Sequence, residues 1–155
     1  MANNNLLKIS VLLLLFVADR LIKTLLILKL PAEGVLIFPE IDLKTVINPN
    51  LALSLPLPNW LAIVLSAIVL ILAVKLLYPY LIKNNLSQWG LGLLIIGSLS
   101  NLLDRFKYGG VIDWLNIWLL PSFNFSDLYI LIACLLLFIS FQKISARGGI
   151  NHSPL

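Results

Sequence analysis

Little in this chain suits metal or nucleophile chemistry. It holds one cysteine, Cys134, and one histidine, His152. A lone cysteine forms no intramolecular disulfide and no thiolate metal cluster. A lone histidine in a polar tail supports neither a zinc site nor a Ser-His-Asp triad. No metal and no cofactor is expected. Charge is also scarce, with only 12% of residues charged. The basic residues are scattered at the ends of apolar runs rather than gathered on a polar or aromatic face, so no nucleic-acid partner is expected.

What the chain has in quantity is apolar surface. Hydrophobic residues make up 60% of it, and the mean hydropathy is +1.00. A soluble domain of this length needs far more polar surface. The pattern predicts an all-α integral membrane protein, a single domain over residues 1–155. Spans are expected at about 6–28, 60–78, 89–103 and 126–142, against the roughly 20 apolar residues that cross a bilayer. External loops are expected at about 29–59 and 104–125. The first segment reads as a retained span rather than a cleaved leader: cleavage after Ala18 would put the bulky Phe16 where a small residue is needed, and the apolar run resumes after Arg20.

The first external loop is punctuated by Pro31, Gly34, Pro39, Pro56 and Pro58, with β-like runs at 35–38 and 44–47. Within it Asn48-Pro49-Asn50 reads as a turn, followed by a small apolar lip at 51–54, and the loop as a whole, residues 31–59, could close over an apolar groove. Pro79 is expected to end the second span. Trp60, Tyr78, Tyr80, Trp114 and Trp118 read as interface anchors. Glycines and serines in the third span favour close helix approach. Lys8, Lys75, Lys83, Lys143 and Arg147, unaccompanied by acid, put both termini and the 79–88 linker on the cytoplasmic side.

Against this background residues 101–127 stand out. They hold Asp104, Asp113 and Asp127, three of the seven acids, with Asn101, Arg105 and Asn124. Polar groups beside a membrane core are costly and point to function. Ser126 is a candidate cap for the last helix, with Asp127 in its first turn. Asp19 and Lys23, four apart in the first span, share a helix face as an ion pair, with or without a role facing the site. Without a usable histidine or cysteine, carboxylates are the remaining acid–base candidates. Should the loop fold back onto the helix start, Asp113 and Asp127 would meet and share a proton. A solvated turn and a helix cap is the plainer alternative for the same two residues.

Three blocks carry a resemblance: Asn101-Leu-Leu-Asp104-Arg105, then Gly109-Gly110-Val111-Ile112-Asp113-Trp114, then Phe123-Asn124-Phe125-Ser126-Asp127. Together they resemble the bacterial lipoprotein signal peptidase (signal peptidase II) family, whose blocks read Asn-x-x-Asp-Arg, Gly-x-Val-Val-Asp-Phe and Phe-Asn-x-Ala-Asp. The family's early Asp-x-x-x-Lys matches Asp19 and Lys23. The resemblance implies an inner-membrane aspartic endopeptidase that cuts prolipoproteins before a cysteine bearing a diacylglyceryl group, near the extracytoplasmic face. It implies Asp113 and Asp127 as the catalytic pair. It implies Asn101, Arg105 and Asn124 as residues lining the site, with Asp19, Lys23 and Asn48 around the pocket. Asp104, paired with Arg105, and Gly109 are implied to be structural. The implied partners are lipidated prolipoproteins and membrane lipid, and a monomer is expected.

Departures from the family pattern are conservative. Asn50 stands where glycine is usual and tolerates a positive φ. Leu53 and Trp114 each replace phenylalanine, and Ser126 replaces alanine. The stretch Leu131-Ile132-Ala133-Cys134 resembles the site such an enzyme cuts, but it lies in the last span and reads as apolar core. A proton-coupled transporter is the alternative function, because transporters also keep carboxylates in their helices.

Overall fold

The computed structural model describes residues 2–50, 57–81 and 85–147. His152, Lys83 and the apolar lip at 51–54 lie outside the described residues. Four helices, α1 (Ala2–Lys29), α2 (Asn59–Leu81), α3 (Asn85–Tyr108) and α4 (Phe125–Arg147), are joined by a sheet of β1 (Val35–Phe38), β2 (Ile41–Asn48) and β3 (Val111–Ile117). The four expected spans each fall on one helix. Pro79 does not end α2, which runs on to Leu81.

The helix α3 is the hub: it packs on α1, α2, α4 and β3, most extensively on α4. Its small residues permit this. A Cβ on Gly97 would lie 2.7 Å from the Ser126 carbonyl oxygen. The start of α4 therefore rests directly on the α3 backbone, one turn before Asn101. Among the described residues the buried set holds more polar and charged side chains than apolar ones, while Leu, Ile and Val line the outer helix faces. This is the reverse of a water-soluble bundle. It fits helices whose outer faces meet lipid and whose contacts rest on packing and polar pairs. By length and composition, α3 and residues Phe125–Lys143 are apolar enough to cross a membrane. The apolar stretch of α2 is shorter, Asn59–Lys75, and α1 is interrupted by Asp19, Arg20 and Lys23.

The sheet corrects the expected second loop. The strand β1 matches the expected 35–38 run and β2 extends the second run at both ends, but β3 lies inside a stretch read as loop. The order is β1-β2-β3, antiparallel throughout. Val111–Ile117 carries Asp113 and Asn116, residue types poor in strands, and gains its ladder from β2, far away in sequence, with one further bridge from Leu115 to Phe123. Two aromatic and sulfur assignments also change. Trp114 is no interface anchor: it is buried, with its ring edge-on to Phe125 at 4.9 Å between centroids. Cys134 is not in the core but on the outer face of α4, because its neighbour Ala133 takes the position facing Gly90. Trp118 and Trp60 are exposed.

Candidate active site

Two glycines shape the entry to the site, each for a different reason. Gly109 closes α3 with φ +77, a left-handed conformation that side chains adopt with strain, although open space surrounds it. Gly110 is required by space: a Cβ there would sit 2.7 Å from the Asn48 carbonyl oxygen. The close approach lets β3 pair with β2, with Asn48 opposite Val111 and Val46 opposite Asp113. Asn48 and Asp113 are then diagonal neighbours on one face. The Asn48 side chain serves twice. Its Oδ1 accepts the Asn50 N–H at 3.0 Å, fixing the predicted turn, and its Nδ2 donates to Asp113 Oδ2 at 2.9 Å.

After β3 the chain doubles back. Phe123 bridges to Leu115, and this delivers Asn124 beside Asp113 at the mouth of α4. Asn124 Nδ2 donates to Asp113 Oδ1 at 2.8 Å. The same residue caps α4: its Oδ1 accepts the Asp127 N–H at 3.1 Å, and Asp127 Oδ2 accepts the Asn124 N–H at 3.1 Å. That reciprocal pair is a capping box. Asn124 therefore takes the capping position expected of Ser126. Ser126 instead turns inward, its N–H and hydroxyl donating to Asp19 at 3.1 and 2.8 Å. The remaining oxygen of Asp127, Oδ1, accepts from Asn101 Nδ2 at 2.8 Å. Every carboxylate oxygen of Asp113 and Asp127 thus accepts one N–H, and Asn124 serves both residues.

Burial, above all, pushes the Asp113 carboxyl up to about 6. The negative charge of Asp127 adds to the rise, while the hydrogen bonds from Asn48 and Asn124 and the charge of Lys23 oppose it. Asp113 therefore holds its proton to a higher pH than a free aspartate does.

Beneath the pair lies an ionic layer. Asp19 and Lys23 are buried, at 1% and 0% exposure, and pair at 3.2 Å as their spacing predicts. Lys23 also reaches Asp104 Oδ2 at 2.8 Å and Asn101 Oδ1 at 3.1 Å. Asp104 does not pair with Arg105. Its second oxygen takes Arg20 Nη1 at 2.5 Å, because Arg20 lies one turn from Lys23 on the side of α1 that meets α3. Arg20 was not among the sequence candidates, and only its place one residue after Asp19 could have signalled it. Ser100 was missed as well: its hydroxyl donates to Asp19 Oδ2 at 2.5 Å and accepts from Arg20. Arg105 points the other way, donating from Nη2 to the Asn50 carbonyl at 2.9 Å. Its Nε is buried without a hydrogen-bond partner. All ten candidate residues are therefore in one connected region, with Asp19, Lys23 and Asp104 in the layer behind the pair. Among the described residues no group of histidine, cysteine and acids is arranged to hold a metal ion.

A family model described as "Signal peptidase (SPase) II" matches residues 11–143 of the chain. The lipoprotein signal peptidase of Wigglesworthia glossinidia brevipalpis is 35% identical over 112 residues, covering 68% of this chain and 73% of that protein. The lipoprotein signal peptidase of Halothermothrix orenii is 31% identical over 131 residues, covering 82% and 89%. A solved bacterial membrane enzyme has the same fold, with a TM-score of 0.76 at 20% identity over 96% of this chain and 93% of that one.

Proposed function

Because this chain belongs to the signal peptidase II family, we propose that it is a membrane aspartic endopeptidase that removes the signal peptide from prolipoproteins. Its substrates would carry a diacylglyceryl group on the cysteine after the cleavage point. The observation that carries the reading is Asn124, whose side chain and backbone hold Asp113 and Asp127 at once. An asparagine donating to one carboxylate and boxed with the other keeps two acids together that would otherwise repel.

In this reading the ionised carboxylate takes a proton from water, and the resulting hydroxide adds to the scissile carbonyl carbon. The protonated carboxyl donates a hydrogen bond to the carbonyl oxygen as charge builds there. Collapse of the tetrahedral intermediate breaks the C–N bond, and the leaving nitrogen takes a proton from the pair. Asp113, pushed up to about 6, suits the protonated role. Arg105, which donates to the Asn50 carbonyl beside the pair, is proposed to help hold the substrate backbone. All four helices are proposed to span the membrane, with both termini cytoplasmic and the pair near the extracytoplasmic face. The exposed apolar helix faces support burial in lipid, and the basic residues unaccompanied by acid near the termini and the 79–88 linker support the orientation. No observation favours the transporter alternative.

The test is cleavage of a diacylglyceryl-modified prolipoprotein by the purified protein in detergent or lipid. Asp113→Asn and Asp127→Asn are each expected to abolish cleavage while the protein stays folded. Cleavage retained by either variant sinks the pair assignment.

A further inference from the structure

Lys23 is fully buried, yet it touches neither Asp113 nor Asp127. Its ammonium is shared between Asp19, Asp104 and the Asn101 side-chain oxygen. The two carboxylates already neutralise it, so the bond to a neutral amide needs its own account. An asparagine amide has a donor end and an acceptor end, and either can face a carboxyl group depending on its protonation. Here a full positive charge sits on the acceptor end of Asn101. That fixes the donor end on Asp127 Oδ1 at 2.8 Å. The opposite orientation would set an N–H against the ammonium and a carbonyl oxygen against a carboxylate.

We infer that Lys23 is a positioning residue for the pair: it locks the amide of Asn101 so that an N–H, and never the carbonyl oxygen, faces Asp127. The inference rests on the reading of Asp113 and Asp127 as the reacting groups. A second, longer path leads to Asp113. Asp104 Oδ2, which Lys23 holds, also accepts the Ile112 N–H at 3.4 Å, one residue before Asp113. The effect of Lys23 on the reaction is therefore to bias the pair toward its ionised side and to fix the direction in which it meets water. The charged groups bearing on the pair are Asp19, Arg20 and Lys23 from α1, Asp104 and Arg105 from α3, and the two carboxylates themselves. Arg20 shares Asp104 and Ser100 with this layer but gives the Asn101 side chain no hydrogen bond.

The experiment is a pH–rate series on the full chain with a lipidated prolipoprotein, comparing Lys23→Gln, Lys23→Arg, Asn101→Ala, the double variant Lys23→Gln/Asn101→Ala, and Arg20→Gln. Lys23→Gln and Asn101→Ala are each expected to lower kcat about 100-fold with little change in KM. Each is expected to move the acid limb of the profile up by about one pH unit, since removing a nearby positive charge or a donor disfavours a carboxylate. The double variant is expected to lower kcat no further than Asn101→Ala alone, because the lysine orients the amide, while its acid limb moves further, because the charge of Lys23 also bears directly on Asp113. Lys23→Arg keeps charge and donors, so its acid limb should stay near that of the parent. Arg20→Gln should lower the thermal midpoint and move the acid limb by less than Lys23→Gln does, because Arg20 gives Asn101 no hydrogen bond.

An additive loss of kcat in the double variant, or a lysine variant that changes thermal stability alone, overturns the inference. If Lys23→Gln does not fold, Asn101→Ala decides, and an unmoved profile there rules the inference out. Asp113→Asn and Asp127→Asn run alongside. If both abolish cleavage, a negative result counts against the role of Lys23 only, whereas cleavage by either points to a wrong choice of reacting pair.

Discussion

The Asn124 side-chain oxygen accepts the Asp127 N–H at 3.1 Å while Asp127 accepts the Asn124 N–H at the same distance. One residue thus starts α4 and, through its Nδ2, holds Asp113. The two duties can be separated. Serine caps a helix about as well as asparagine but has no amide to reach Asp113. Asn124→Ser should keep thermal stability within about 0.5 kcal/mol of the parent and still lose most cleavage activity. Asn124→Ala should lose activity and also about 1–2 kcal/mol of stability. Thermal melts in detergent, run beside the cleavage assay, check both. Full activity in the serine variant would show that the contact with Asp113 is dispensable.

A second prediction concerns pH. Asp113 has its carboxyl raised from 3.8 to about 6 in the folded protein. A raised carboxyl binds its proton more tightly when folded than when unfolded. Its charge therefore destabilises the fold progressively as pH rises from about 4 to about 6, and the full cost, on the order of 3 kcal/mol, applies above that. Asp113→Asn removes this dependence. The variant's thermal midpoint should gain on the parent's across that interval and hold its gain above it. A constant difference from pH 4 to pH 7 would contradict the shift. In the parent, cleavage should fall as pH rises through about 6, when the pair loses its shared proton.

The two glycines at the end of α3 give a third prediction. A methyl group at Gly110 meets the Asn48 carbonyl oxygen, a backbone atom with little room to move. Gly110→Ala should cost about 1–3 kcal/mol and displace Asn48 from Asp113, lowering activity more than stability alone explains. Gly109 faces open space, so only its φ resists substitution. Gly109→Asn, which tolerates that φ, should cost less than the roughly 1–2 kcal/mol expected for other side chains there, with activity kept. Equal losses of activity at the two positions would mean that the contact with Asn48 is not what matters.

How much of this was legible beforehand depended on the range of the interaction that fixed it. The ion pair of Asp19 and Lys23 follows from a spacing of four, and it is there. The strand β1 follows from four β-formers between turn residues, and it is there. The cap was assigned to the wrong residue because Asn124 and Ser126 are both good caps, and only the contact with Asp19 draws Ser126 inward. The partner of Asp104 was misjudged for a similar reason. Arg105 is adjacent in sequence, but neighbouring residues on a helix point in different directions, and α1 supplies Arg20 from 84 residues away.

The sequence by itself determined the chemical inventory: three acids and three polar partners within 101–127, four long apolar runs, and no histidine or cysteine placed to compete. Tertiary structure decided the wiring. It brought Asn48 to Asp113 through the β2–β3 register, Asn101 to Asp127 across the close approach at Gly97, and Lys23 behind both. These contacts join residues tens of positions apart. Local propensity and periodicity act over a few residues, so no local pattern could encode which carboxylate each amide would face.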